Sequence, residues 1–507
     1  MSFQWTAQQE QLFTTVAAAT QASTPSVITT NAVAGSSKSS SAVEAVRRIK
    51  EANPATTIRY LVFGSLASQE AKLDFGHTAT VSTLHSLAYF YEMTHSSPKR
   101  FLPRNRPYVS WQDIPRDIKR PFGIDFEAIQ LVDAYCNSEF TSLKMYITDQ
   151  FDNAGNEIRP YVARLANDLL NAMYVGRMPC THAFYLKIFH INLLNNLIQL
   201  PQTDLLIIDE AQDLSSITVE ILRKFPAKVK LLIGDKYQSI FAWMGCINAF
   251  DLYPDSTKLQ LTQSFRVNHI DAKSVQSFMR STVDKSFDFI GRVYDTPIPS
   301  NPTTAYLTRT NAALITKMVE LDANNIPYHL ATTGKIDQMF KLPLDIAHIK
   351  PGTELKRADP LYDVQHAVNE WASSEKLQEK YTSKYSYLLS THKNNPEVHN
   401  AVKLVVQYSY DKLKQTAVNA KAHTKSTASL SLMTVHTSKG ATRDVVELAD
   451  DVNVSIEGAV AKIEAGVLLN KEDIESIYIY YVAVTRHRHK ILNAKYLNTY
   501  IGPINDA

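Results

Sequence analysis

The sequence has 507 residues, a length that calls for about three or four domains rather than one core. Its 45% hydrophobic and 20% charged composition is that of an ordinary globular protein, and no apolar run approaches the ~20 residues of a membrane span. The net charge of +3 allows a local basic channel without declaring a nucleic-acid binder, and Cys136, Cys180 and Cys246 have neither zinc-site nor disulfide-framework spacing. The amino terminus lacks a signal-peptide pattern, so an intracellular soluble protein is expected, cytoplasmic if bacterial or phage-encoded.

In chain order, the first predicted element is a helix over residues 12–19, preceded by Gln9. Gln9 has the donor and the acceptor needed to bond an adenine edge, and a solvated surface glutamine is the other reading. Residues 26–30 form a β-branched strand, and a helical pattern begins at Ala42. Between them run Ala34, Gly35, Ser36, Ser37, Lys38, Ser39 and Ser40. Strand, small-residue loop, Lys-Ser and helix is the arrangement of a phosphate-cradling loop. Backbone N–H groups and the helix amino terminus would hold phosphate, Lys38 would reach the β/γ oxygens, and Ser39 would ligate Mg²⁺. The pattern GxxxxGK[ST] is broken twice: Ala34 or Gly35 serves for the first glycine, and Ser37 replaces the glycine before the lysine. If that position needs φ > 0, a serine costs on the order of 1 kcal/mol or more. A Ser/Ala-rich loop without a phosphate role is the alternative.

A strand over 60–63 and the segment 81–89 continue an alternation that indicates a parallel α/β sheet. Residues 96–195 read as a mostly helical insertion whose basic, aromatic stretch 98–108 is either a nucleic-acid contact or a solvated face. The chain returns to the sheet with Leu205, Leu206, Ile207 and Ile208, a strand expected to be buried on both faces and ending in Asp209 and Glu210. At the carboxyl edge of such a sheet one carboxylate can hold Mg²⁺ and its neighbour can polarise an attacking water; a core strand with an acidic turn is the other reading. Strand 229–233 then runs into Gly234 and Asp235, and two strands ending in acid–polar clusters argue against packing alone. A second α/β series has its clearest strand at 305–309, breaks for a polar helical insertion at 350–424, resumes at 432–440 and closes at 478–489.

Together these segments resemble the ordered motifs of superfamily 1 helicases of the UvrD/Rep type, and within that group the helicase region of the F-box DNA helicases. The resemblance rests on Asp209-Glu210-Ala211-Gln212-Asp213, on 234–243 (GDKYQSIFAW), 261–266 (LTQSFR), 306–311 (YLTRTN), 434–440 (TVHTSKG) and 481–486 (YVAVTR), and it covers nearly the whole chain. It implies that Lys38 and Ser39 hold phosphate and Mg²⁺, that Asp209 assists the metal, and that Glu210 is the catalytic base. Gln238 would sense the γ-phosphate, while Arg266 and Arg486 would face it across a cleft. Phe265 would stack on adenine, Gln9 would read its edge, and Gly440 would lie among the nucleotide-binding positions. Trp243 would stack on single-stranded bases. Phe63, Thr83, His85, Ser86, Arg309, His436 and Lys439 would line the DNA track, as would His182 and Lys187 in a segment similar to one of the F-box branch.

Departures from the family pattern are Ser37, Met244 in place of an arginine, Thr442 in place of a glutamate and Arg443 in place of an aromatic. The flanks of the motifs lead one to expect neither an F-box nor a fused nuclease.

The expected fold is α/β, with two RecA-like parallel-sheet domains each interrupted by a mostly helical insertion. The expected domains are 1–95 with 196–262, the insertion 96–195, 263–349 with 425–507, and the small insertion 350–424. The expected function is an ATP- and Mg²⁺-dependent translocase and helicase on single-stranded DNA and single/double-strand junctions, with 3′-to-5′ polarity implied by the resemblance. It is expected to act as a monomeric motor in DNA repair or replication, with replication or recombination proteins as partners and no membrane association. The alternative is a catalytically weak helicase-like protein that binds nucleic acid or a partner. The sequence leaves RNA against DNA open, since base stacking does not read the 2′-OH.

Overall fold

The structure, a computed structural model, describes residues 4–95, 109, 113–120, 122–153, 155, 158–241, 246–293, 296–331, 336–355, 361–393 and 395–497. The chain divides into two compact units, residues 1–264 and 265–507.

The first unit begins with α1 (Ala7–Gln21), β1 (Ser26–Ala32), α2 (Lys38–Ala52), β2 (Ile58–Val62), α3 (Ser65–Phe75), β3 (Thr80–Thr83) and α4 (Leu84–His95). Helices α5 (Phe122–Asn137), α6 (Leu143–Ile147), α7 (Pro160–Tyr174) and α8 (His182–Leu194) interrupt the sheet. The sheet resumes with β4 (Thr203–Ile208), and β5 (Leu214–Ser215), α9 (Ser216–Lys224), β6 (Ala227–Gly234), β7 (Cys246–Ile247) and β8 (Thr257–Leu261) follow. Six strands form one parallel sheet in the order β3-β2-β4-β6-β1-β8.

Strand β4 is covered on both faces, as its unbroken apolar run predicts. Leu205 and Ile207 pack with α1 and α2 in one cluster, and Leu206 and Ile208 pack with the helical insertion in another. Successive side chains of a strand point to opposite faces, so a run without alternation belongs at the centre of a sheet covered twice. Within the insertion, α7 buries Val162, Leu165, Ala166, Leu169, Ala172 and Met173, the three-and-four spacing of one helical face.

The chain passes into the second unit along β9 (Gln263–Asn268), which is followed by α10 (His269–Thr282), β10 (Ile290–Arg292), β11 (Thr304–Thr308), α11 (Asn311–Ala323) and β12 (His329–Leu330). Six helices then interrupt the sheet among the described residues: α12 (Ile336–His348), α13 (Tyr362–Ser373), α14 (Glu375–Lys380), α15 (Lys384–Thr391), α16 (Pro396–Gln407) and α17 (Tyr410–His423). The unit closes with β13 (Leu430–Thr434), β14 (Arg443–Leu448), α18 (Asp450–Glu464), α19 (Lys471–Val484) and β15 (His487–Leu492). Its five-stranded parallel sheet has the order β12-β13-β11-β14-β15. The architecture is thus α/β with two RecA-like parallel sheets, each interrupted by helices.

Candidate nucleotide site and nucleic-acid track

Three neighbouring strands of the first sheet, β4, β6 and β1, deliver the candidate chemistry to one carboxyl edge. After β1 the loop turns back sharply, with Val33 N–H donating to Leu261 O at 3.0 Å and Ser36 N–H to Val33 O at 3.1 Å. Ser264 Oγ donates to Ala34 O at 2.8 Å. Gly35 has φ +76° and Ser37 has φ +59° and ψ +38°, so the position that the family pattern gives to glycine is left-handed here as well. Ser37 caps α2 through its carbonyl, which accepts from Ser41 N–H and Ser41 Oγ, both at 2.9 Å. Lys38, Ser39 and Ser40 form the first turn of α2.

Lys38 Nζ makes an ion pair and hydrogen bond with Glu210 and lies 4.0 Å from Asp209 Oδ1. Burial alone would lower the pKa of this ammonium, but Glu210 and Asp209 outweigh it and hold the value above that of an ordinary lysine. Burial raises the Asp209 carboxyl, with Lys38 opposing. Glu210 takes φ +53° as the chain leaves β4, and its N–H donates to Asp209 Oδ1 at 2.9 Å.

Gln212 connects this corner to the next strand. Its Nε2 donates to Glu210 Oε2 at 2.5 Å, and its Oε1 accepts from Asp235 N–H at 3.1 Å. A Cβ at Gly234 would lie 2.1 Å from Gln212 Oε1 and 2.9 Å from Ala211 N, so only glycine leaves room for that link. Asp235 in turn accepts from Gln238 Nε2 at 2.8 Å, and Lys236 N–H donates to Asn31 Oδ1 at 3.0 Å. Lys38, Glu210, Gln212, Asp235 and Gln238 thus form a continuous chain of polar contacts.

Two candidate residues lie inside the fold. Gln9 is 1% exposed: its Oε1 accepts from Thr6 N–H at 2.9 Å in a capping box, and its Nε2 donates to Ser41 Oγ at 2.9 Å. Both functional atoms are engaged inside the fold, which replaces the solvated reading. Lys187 is also 1% exposed. Its Nζ donates to Ser138 O at 2.6 Å and Phe140 O at 2.8 Å and lies over the Tyr135 ring, so it fastens the insertion instead of facing a DNA strand. Burial lowers its pKa to about 8.

The other track candidates of this unit lie at strand ends. Phe63 is exposed just after β2, and Thr83 and Ser86 exchange a 2.8 Å hydroxyl contact at the start of α4. His85 lies beside the rings of His182 and Tyr185, with centroids 6.3 and 6.1 Å away. Burial, then His182, lowers its pKa to about 4, so the ring is neutral at physiological pH. Phe63, His85 and Asp209 share the lining of a cavity of about 860 Å³ that also touches α5 through Asp133 and Asn137. Trp243, Met244 and the basic stretch 98–108 lie outside the described residues.

In the second unit, Arg266 Nη1 donates to Thr485 O at 3.2 Å. Arg486 is buried, with Nε donating to Val482 O at 2.9 Å and Nη2 to Thr485 Oγ1 at 3.4 Å, so Thr485 is a partner to both arginines. Phe265 is 37% exposed. Arg309 N–H and Thr310 N–H donate to Asp451 at 3.0 and 2.9 Å, which fixes the turn after β11. His436 and Lys439 share the tight turn after β13, where Lys439 N–H donates to His436 O at 3.3 Å, and Gly440 has φ +83°.

Sequence reasoning did not single out Gln212 or Tyr60. Gln212 lies inside a recognised motif, where its spelling was a usable signal. Tyr60 carries no local signal at all.

The fold and these strand ends define a class: an α/β protein with a lysine-bearing loop facing paired carboxylates at the carboxyl edge of a parallel sheet. Residues 15–243 match a family model described as an AAA domain. The F-box DNA helicase protein 1 of Schizosaccharomyces pombe (strain 972) is 23% identical over 509 aligned residues, covering 92% of this chain and 55% of that protein. The chain therefore spans about half the length of this relative. Both comparisons support its likeness to the UvrD/Rep-type helicases of superfamily 1.

Proposed function

We propose that this chain is an ATP-dependent, single-strand-stimulated DNA translocase and helicase, with 3′-to-5′ polarity as the resemblance implies. The observation that carries the reading is the Lys38 ammonium held between Glu210 and Asp209, with the carboxylates at the end of β4 and the lysine at the start of α2. Oxygen donors from Asp209 and Ser39 suit Mg²⁺, which keeps waters and takes one or two protein oxygens with substrate phosphate. Asp209 and Ser39 would hold the ion, and when bound it would neutralise charge on the β/γ oxygens.

In this reading Lys38 exchanges a carboxylate partner for a phosphoryl oxygen. That releases Glu210 to orient and deprotonate the attacking water. Gln212 holds Glu210 from the other side and ties its position to Asp235 and Gln238, so a change at the γ-phosphate sensor is felt at the base. Phe63, His85, His182 and Trp243 are the proposed stacking and contact residues of a sequence-tolerant strand track.

ATP hydrolysis with and without single-stranded DNA tests this. Strand-stimulated turnover is expected to vanish in Lys38→Ala and to fall by orders of magnitude in Glu210→Gln, with ATP binding retained in the latter. Turnover that ignores both substitutions would sink the reading. Ser37, a serine in a left-handed position, favours the second reading of a helicase-like binder with weak turnover; it predicts strand binding without strand-stimulated hydrolysis. Parallel titration with single-stranded RNA separates the two nucleic acids.

A further inference from the structure

The side chain of Tyr60 is built into the same corner from the neighbouring strand. Tyr60 pairs with Ile207 in the β2–β4 register, and both face the core beneath α1 and α2. Asp209 lies two residues beyond Ile207, on the same face of the sheet by the strand period of two. The ladder continues to this point, with Asp209 N–H donating to Leu61 O at 2.9 Å. The Tyr60 ring is 1% exposed and packs on Phe75 at a centroid distance of 4.5 Å, a contact that phenylalanine would make as well. What phenylalanine would lack is the hydroxyl. A buried hydroxyl costs stability unless it finds a partner. This one donates to Asp209 Oδ2 at 2.7 Å, close to the Ser39 side chain. Asp209 Oδ1 accepts from Glu210 N–H at 2.9 Å, so each oxygen of the carboxylate is held by a separate donor.

We propose that the Tyr60 hydroxyl is a positioning group for the metal site, fixing the Asp209 carboxylate in the orientation that takes up Mg²⁺ with a nucleotide. The assignment rests on the ATPase reading above. It explains why a tyrosine occupies a core position whose packing needs only the ring. A hydrogen bond to a charged group lies in a range whose low end corresponds to about a tenfold change in an equilibrium constant.

The test is equilibrium binding of a fluorescent ADP analogue to the full chain, in EDTA and across a Mg²⁺ titration, with thermal unfolding alongside. Tyr60→Phe is expected to leave metal-free affinity close to that of the parent and to lower the unfolding midpoint by only a few degrees, the cost of one buried hydrogen bond. The Mg²⁺ concentration for half-maximal tightening is expected to rise about tenfold. In an Asp209→Asn background the same substitution is expected to change nothing further, because the hydroxyl acts through that carboxylate. An unchanged Mg²⁺ requirement in Tyr60→Phe overturns the assignment, and so does an equal shift in the Asp209→Asn background. A loss of metal-free affinity as large as the shift in Mg²⁺ requirement overturns it in favour of a structural hydroxyl. A parent protein whose nucleotide binding ignores Mg²⁺ would overturn the ATPase reading itself, and the assignment with it.

Discussion

Ser37 and Glu210 share a backbone feature that sets them apart from their surroundings. Among the described residues, the other non-glycine positions with positive φ are Asn196, Asn325 and Asn493, a residue type that tolerates the left-handed region. Ser37 and Glu210 are not of that type: Ser37 directly precedes Lys38, and Glu210 is the partner of Lys38 in the ion pair. Strain of about 1–3 kcal/mol persists where the surrounding structure over-determines it, and here the ends of β1 and β4 do so. Ser37→Gly is expected to raise the stability of the first unit by about 1 kcal/mol and nucleotide affinity modestly, measured by chemical unfolding and nucleotide titration. Loss of turnover in that variant would assign the serine hydroxyl a role of its own. The cost of a serine here was legible in the sequence, as a condition on φ. That the condition holds required the backbone.

At the scale of the element, α8 shows how a buried cation is read wrongly from its neighbours in sequence. Thr181 caps the helix by accepting from Phe184 N–H at 3.0 Å, and Phe184, Tyr185, Leu186, Lys187, Phe189, His190 and Leu193 are all buried. A helix covered on nearly all sides gives no polar stripe by which its lysine could be assigned to solvent. Lys187→Met keeps the stem and removes the ammonium, leaving the Ser138 and Phe140 carbonyls without their donor. It is expected to cost about 2 kcal/mol in unfolding while leaving the salt dependence of strand binding unchanged. A flattened salt dependence would return Lys187 to the DNA track. Gln9 teaches the converse. Thr6-x-x-Gln9 is a capping-box signature written in the sequence, and the box is what the structure contains.

Across the whole molecule, buried histidine sets an acid limit on stability. His190 is fully buried, and neither ring nitrogen has a hydrogen-bond partner among the described residues. Burial, with Lys187 adding to it, lowers its pKa from 6.5 to about 4. The unfolded chain therefore binds the proton more tightly. Stability from this group is intact above pH 6.5 and declines as pH falls, by about 3 kcal/mol once pH 4 is reached. Denaturant unfolding at pH 7 and pH 4.5 is expected to show a smaller acid loss in His190→Leu than in the parent. An equal loss in both would place the acid sensitivity elsewhere.

The sequence by itself determined the element types, the order of the motifs and the central burial of β4, because local patterning and strand periodicity act over neighbouring residues. It also named Lys38, Asp209 and Glu210, which the fold brings into one corner. Tertiary structure alone decided which polar atoms are already engaged. Gln9, Lys187 and Tyr60 are polar residues whose partners lie 32, 49 and 149 positions away, in Ser41, Ser138 and Asp209. A buried polar group takes its meaning from the partner that compensates its desolvation, and sheet register and helix packing choose that partner.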